Sequence, residues 1–522
     1  MSENNENQNG IFDEPEARYT AKRKHKDDFK RQVKLFFTIF LICAITISSY
    51  SFVLKPIIEY VEQTPEEIPV LLDGEVLGPQ NRILITDIIE KENISSIAVH
   101  NEHGDWGFEY SEKDDDFYLS GNKDAPYDKD VFERLISSAR NMLSMERITD
   151  NADNFAEYGL SELNNPAWFV LTEKDGKTHK LYIGDLLPSN AGYYVRYEGR
   201  DAVYVLDYEN TLIFCSPVES VISPILALPT GNSYHTITNF ALKRDGEIVV
   251  ALEYIGEENS STDSPLVTLH KFIYPEQYVP SDTAYLDVFG KFSYYTGIST
   301  LVYQPDIEDL KAYGLDKPKY DLYFEFMGYP NNIIFSEPNE NGNYYAYSPV
   351  FDIISEVEAD NAKWLDRSLL EWIERPILQI SILDVQKLSV ESKNAQYRFN
   401  LTSDETGIVS ISEEVSGKDI TDIDNFKKFY QTILMTSLQD YVNLTEDEVE
   451  TLKQSDPYMT MTVQLKDGTS KEYKFYPYET RRAYYTTNGI GDFYVIRDRM
   501  IKIIDDAAKV LAGETVIPEA NS

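Results

Sequence analysis

PAWFVLTEKDGKTHKLYIG, Pro166 to Gly184, reads as two strand-forming runs folded around Asp175-Gly176. An Asp-Gly pair between such runs is a strong hairpin signal, because glycine takes the positive φ that tight turns require. The pattern returns in PKYDLYFEFMGYPNNIIF from Pro318 and in PYMTMTVQLKDGTSKEYKFY from Pro457. The turn glycine falls 10, 10 and 11 residues after the proline, at Gly176, Gly328 and Gly468. A tyrosine pair follows 16 or 17 residues later: Tyr193-Tyr194, Tyr344-Tyr345 and Tyr484-Tyr485.

The repetition extends in both directions. Tyr158-Gly159-Leu160 and Tyr313-Gly314-Leu315 stand upstream, and the third copy has Leu452-Lys453-Gln454 instead. Further strands recur downstream at Ala202–Leu206, Val350–Ile354 and Asp492–Ile496, and upstream at Ser95–Tyr110 and Leu388–Thr402. Each copy has an amphipathic helix ahead of its hairpin. Phe132, Leu135, Ile136 and Ala139 mark the first; Phe426, Phe429, Tyr430 and Ile433 mark the third. The middle one, around Tyr285 and Phe289, is weakened by Gly290 and Gly297. The reading is three tandem, mainly antiparallel β units: 90–230, 231–376 and a degenerate 377–512, with a tail at 513–522. A solenoid would need a period of about 20–50 residues, far shorter than this one.

Ahead of the units, Leu35 to Leu54 is a run of twenty residues without a charge. A helix of that length spans roughly 30 Å, the thickness of a bilayer core. Eight basic residues between Arg18 and Lys34 face only Asp27 and Asp28. The positive-inside rule then places residues 1–34 in the cytoplasm as a partly disordered tail, and 55–522 outside the cell membrane. A cleaved signal peptide is the competing reading, but no A-x-A-like site follows the run, and Cys43 is preceded by Ile42 where lipidation wants a small residue. Prolines at 56, 65, 69 and 79 suggest an extended stalk over 55–89. The expected class is therefore α+β: one N-terminal transmembrane helix, then three tandem antiparallel units, each with a helix.

Charge narrows the partners. The formal net charge is −40, almost all of it beyond residue 34, which argues against nucleic acid. A hydrophobic content of 42% with 13% aromatics excludes a disordered chain. Cys43 and Cys215 are the two cysteines, so no disulfide is expected to staple the units.

Tyr-Gly-Leu, the proline, LYIG at Leu181–Gly184 and GYYVRYEGRDAVYVL at Gly192–Leu206 together resemble a bacterial family of unknown function. The likeness is closest over Tyr158–Leu206, partial over Tyr313–Ile354 and faint in the third unit. It implies one membrane span, repeated extracytoplasmic units, and genes lying beside ABC transporter permeases and auxiliary proteins of gliding-motility type. It carries no catalytic residues; it implies a partner.

Catalytic signatures are missing from the sequence. There is no G-x-S-x-G elbow, phosphate loop or dinucleotide fingerprint. His100 and His103 form an H-x-x-H pair without obvious further zinc ligands. Asp114-Asp115-Asp116 and Asp422-Ile423-Asp424 lack the calcium-loop pattern and read as loop and cap acids. No catalytic residue, metal or cofactor is expected. Tyrosine is abundant, with 38 in the chain, and suits half-buried sheet faces as well as contact surfaces. Strand alternation would turn one ring of each pair inward and the other outward, making Tyr193, Tyr194, Tyr344, Tyr345, Tyr484 and Tyr485 the candidate contacts. The expected function is a membrane-anchored binding or assembly module of an ABC-type export or envelope complex, with the bilayer held through residues 35–54. The alternatives are a cell-wall or carbohydrate-binding surface protein and a wall-polymer hydrolase.

Overall fold

The three proline-led hairpins lie inside three large antiparallel sheets. A computed structural model describes residues 68–256, 269–404 and 407–518. A short pair comes first, β1 (Val76–Leu77) with β2 (Ile83–Leu84).

The first unit supplies β3 (Ile94–Asn101), β4 (Gly104–Ser111), β5 (Asp116–Leu119), β6 (Glu146–Thr149), β7 (Ala167–Glu173), β8 (Thr178–Leu186), β9 (Gly192–Tyr197) and β10 (Val203–Asp207). Their spatial order is β5-β4-β3-β7-β8-β9-β10-β6. The second unit repeats that order with β11 (Asn239–Arg244), β12 (Glu247–Tyr254), β13 (His270–Tyr274), β14 (Ser299–Tyr303), β15 (Tyr320–Phe326), β16 (Tyr329–Phe335), β17 (Tyr344–Ser348) and β18 (Ile353–Val357). Its sheet runs β13-β12-β11-β15-β16-β17-β18-β14. The third has β19 (Val385–Glu391), β20 (Gln396–Asp404), β21 (Gly407–Glu413), β22 (Lys418–Asp419), β23 (Asp440–Tyr441), β24 (Met459–Leu465), β25 (Ser470–Glu479), β26 (Arg482–Thr487) and β27 (Phe493–Ile496). Apart from the added edge strand β22, its order is the same: β22-β21-β20-β19-β24-β25-β26-β27-β23.

A helix covers one face of each sheet, joined in the third by Arg497–Ala512, which buries Met500, Ile503 and Val510. Asp128 caps Lys129–Arg140 by accepting from the backbone of Asp130 and Val131, and Phe132, Leu135, Ile136 and Ala139 are buried beneath it. Asp422 does the same for Ile423–Leu434, which buries Phe426, Phe429 and Ile433. The middle helix, Asp282–Lys291, ends before Gly297 and buries Tyr285, Val288 and Phe289.

These observations correct the expected class. The described chain is β-rich, built on four antiparallel sheets, because most of its apolar residues alternate with period two along strands. Among the described residues no helix is long and apolar enough to cross a membrane. The longest, Arg497–Ala512, has a charged flank that includes Arg499, Lys502 and Asp505. Leu35–Leu54, on which the single-pass placement rested, lies outside the described residues, as do the tail at 1–34 and the start of the stalk. The single-pass placement in the cell membrane is therefore not retained.

The part of the stalk that is described belongs to the first unit. Ile83, Leu84, Ile85 and Ile89 are buried. Glu75 is clasped by Arg147 at 2.5 Å, by the Tyr204 hydroxyl at 2.7 Å and by the Leu72 amide at 2.7 Å. Burial alone would raise its pKa, but these donors hold it below the usual carboxylate range.

The units share segments. Ile85 N donates to Met142 O, Leu226 N to Tyr295 O and Ile377 N to Thr436 O, each at 2.9 Å. Three isolated bridges accompany these bonds, Leu84 with Leu143, Ile225 with Thr296 and Pro376 with Ser437. The incoming segment of every unit thus docks on the residues that follow its helix. The outgoing segment pairs with the residues before the helix, through Tyr127 with Ile222 and Pro280 with Ile373. Only Ser223 and Pro224 separate the last bridge of unit one from the first bridge of unit two, and only Glu374 and Arg375 separate units two and three. The second and third units have one continuous apolar core, while the first has its own, to which Ile353 of β18 contributes.

Candidate functional site

The tyrosine pairs lie on the corresponding strand of each unit, β9, β17 and β26, with the third pair shifted by one residue so that Tyr484 matches Tyr194 and Tyr345. Tyr193, Tyr344 and Tyr485 face their cores; Tyr194, Tyr345 and Tyr484 face the other way. Each outward ring packs against another tyrosine, with Tyr194 and Tyr345 half-buried and Tyr484 buried. Tyr158 stands edge-on to Tyr194 at 5.1 Å, Tyr313 edge-on to Tyr345 at 4.9 Å, and Tyr476 lies 6.2 Å from Tyr484. The Tyr484 hydroxyl donates to Gly491 O at 2.8 Å, and burial pushes its phenol up to about 12. Tyr344 donates to Asp366 at 3.1 Å; burial and then that carboxylate raise it to about 12 as well. Tyr193 stacks on Tyr208 at 5.8 Å. The six rings lie on three different sheets and do not converge.

Tyr-Gly-Leu and LYIG have a shared physical cause. Gly159 ends a short helical turn with φ +71°, and a Cβ there would lie 2.4 Å from the Asp185 carboxylate. A Cβ on Gly184 would lie 2.1 Å from Tyr158 O. The motif therefore lays the Tyr158 carbonyl directly on the LYIG strand, which places the Tyr158 ring on Tyr194.

The other candidates are engaged locally. His100 pairs with Asp105 at 2.5 Å and stacks on Trp168, while the His103 amide donates to Asn101. Asp114 accepts from Ser111, Asp115 from Tyr110 and Asp116 from Lys129. Asp422 caps its helix, and Asp424 pairs with Lys427. Among the described residues no group of three or more His, Cys, Asp or Glu is placed to hold a metal. Burial pushes the Cys215 thiol up to about 11, where it is a poor nucleophile.

One predicted residue does reach a cleft. Between the second and third units a small cleft of about 50 Å³ is lined by Tyr278, Glu374, Gln379, Lys471, Tyr473 and Tyr485. Its walls come from both units and from their shared segment. Tyr278 donates to Asp492 at 2.8 Å across the boundary, and its hydroxyl accepts from the Asp492 amide at 3.1 Å. Burial and the Asp492 carboxylate raise the Tyr278 phenol far above its ordinary value, so it stays a neutral donor. Tyr485 bonds the Thr487 hydroxyl at 2.6 Å and donates to Ile377 O at 3.3 Å. The Gln379 side-chain oxygen is buried without a hydrogen-bond partner. The cleft thus presents one charge of each sign, Glu374 and Lys471, above a buried, unpaired acceptor.

Sequence reasoning missed Tyr278, Asp492 and the shared segment. A signal for the segment exists in three short apolar runs, Ile83-Leu84-Ile85, Pro224-Ile225-Leu226 and Pro376-Ile377-Leu378.

A protein-family model described as "Domain of unknown function (DUF4340)" matches residues 118–253 and 299–457, more than half of the chain. No curated protein and no solved structure matches.

Proposed function

The chain belongs to the DUF4340 family, and from that premise we propose that it is a non-enzymatic binding and assembly module, an accessory component of an ABC-type export or envelope-associated complex. Its partners on this reading are the transporter permease and an auxiliary protein. The observation that carries the reading is the pair of shared segments, Ile222–Ile225 and Ile373–Pro376, which leave no free linker between units. A module that presents contacts at fixed spacing needs such rigidity, since loosely held contact groups lose affinity to ordering. The cleft around Tyr278, Glu374 and Lys471 is the contact site.

The test is crosslinking of the tagged, full-length protein in its native cells, then identification of what copurifies. Recovery of an ABC permease or ATPase, reduced several-fold by Lys471→Glu at unchanged melting temperature, supports the reading. Absence of both proteins after crosslinking sinks it.

A further inference from the structure

The outer face of the first sheet carries a row of side chains at right angles to its strands. His100 lies directly opposite Trp168, Trp168 opposite Tyr182, and Tyr182 opposite Arg196, on β3, β7, β8 and β9. Their neighbours Phe169, Leu171, Leu181 and Ile183 are buried in the core, so alternation puts the row on the far face. Rings and cations interleave along it. The His100 ring is nearly parallel to the indole at 5.2 Å and 18°. Lys180 Nζ sits 4.5 Å from the Trp168 ring and 4.6 Å from the Tyr182 ring. The Arg196 guanidinium lies 4.8 Å from Tyr182 and 4.4 Å from Phe155.

Two features set the row apart from ordinary sheet packing. The first is its absence from the sister units. Equivalent positions hold Lys243, Asp321, Ile334 and Tyr347 in the second sheet, and Glu391, Thr460, Lys474 and Thr486 in the third. The strand order is the same in all three, so the fold does not require the row.

The second is unmet donor capacity. The chain has 88 acidic residues and 48 Lys and Arg, yet Lys180 and Arg196 have no carboxylate partner among the described residues. Arg196 Nε is buried without an acceptor, and the Trp168 indole N–H has none among those residues either. Two carboxylates bonded to members of the row are already taken, Asp105 by His100 and Glu198 by the Tyr182 hydroxyl at 3.2 Å.

We propose that this row is a binding strip for a saccharide chain that carries carboxylate groups. It crosses three strand spacings, about 14 Å, the reach of a short chain rather than a single ion. Its donors match the acceptor-rich edge of a sugar acid, and its aromatic edges match the C–H surface of the ring. A peptide cannot add there as a strand, because all four strands are paired on both sides. Dense polyanions are disfavoured by the net charge of −40, whereas a few carboxylates respond mainly to Lys180 and Arg196, since more distant charges are screened beyond about 10 Å. This strip is separate from the cleft between units two and three.

Calorimetric titration of the full chain with trigalacturonate tests the proposal, with the neutral trisaccharide maltotriose and the peptide triglutamate alongside. Trigalacturonate should bind at least tenfold more tightly than either, and more weakly as salt rises. Lys180→Gln and Arg196→Gln should each weaken it about tenfold, and Trp168→Ala should weaken it further. The two glutamine variants should melt within a few degrees of the parent, so they decide the matter even if Trp168→Ala unfolds the unit. No binding, equal binding of triglutamate, or binding unchanged in folded Lys180→Gln and Arg196→Gln variants would overturn the proposal. Lysine 471 variants should leave this titration unaltered, which separates it from the assembly reading.

Discussion

The ring of Tyr313 meets the ring of Tyr345 edge-on, with centroids 4.9 Å apart and planes at 74°. The first unit repeats the contact between Tyr158 and Tyr194, at 5.1 Å and 68°. Two motifs about thirty residues apart in sequence are therefore one packing unit, and the outward tyrosine is held rather than free.

A double-mutant cycle measures that contact. Tyr313→Leu and Tyr345→Leu should each lower stability in urea unfolding, and the pair should lose about 0.5–1.5 kcal/mol less than the sum of the singles. Full additivity would show that the rings do not interact.

Glycine substitutions should separate close approach from turn geometry. Gly184→Ala places a methyl group 2.1 Å from the Tyr158 carbonyl, so the strand or the Tyr-Gly-Leu turn must shift. A loss of about 2–3 kcal/mol is expected. Gly176 has positive φ but open space around it, and its alanine variant should cost only about 1 kcal/mol. Denaturant midpoints in the reverse order would contradict the assigned approach.

His270 gives the fold an acid-sensitive limb. It is fully buried, its Nε2 donates to Ile237 O at 2.7 Å, and burial pushes it from its ordinary 6.5 to about 4. The unfolded chain therefore binds the proton more readily than the folded one between those pH values. The stabilisation is complete above pH 6.5 and is lost as pH falls toward 4, by up to about 3 kcal/mol. Stability against pH for His270→Phe should be flatter over that window; an unchanged slope would assign the acid limb to other groups.

Cys215 should be slow with thiol reagents. With its pKa pushed to about 11 by burial, the thiolate fraction at pH 8 is small. Reaction with a disulfide reagent should run about tenfold or more below free cysteine, and reach the free rate in denaturant. Rapid reaction of the native protein would mean that the thiol is accessible.

The hairpins were legible because each needs only local chemistry: alternation along Trp168–Thr172 and glycine at the turn. Even so, turn type depended on neighbours. Glu173 N bonds Lys177 O around a three-residue loop, whereas Phe326 pairs directly with Tyr329 around Met327-Gly328, both at positive φ. The shared segments were not legible as structure. Pro376 and Ile377 have neither period two nor period 3.6, and their partners Ser437 and Thr436 are some sixty residues away. The candidate cleft was legible only in Tyr485, because Tyr278 and Lys471 meet it through packing between units. The membrane helix was inferred from Leu35–Leu54 alone and has no counterpart among the described helices.

The central claim is that units two and three are locked by the segment they share. Differential scanning calorimetry of the full chain, with and without six Gly/Ser residues inserted between Glu374 and Arg375, tests it most directly. The parent should melt these units in one transition, and the insertion should split that transition or lower it by several degrees. An insertion that leaves the profile unchanged would show that the units are joined by a mere tether, and the rigid-module account would fall.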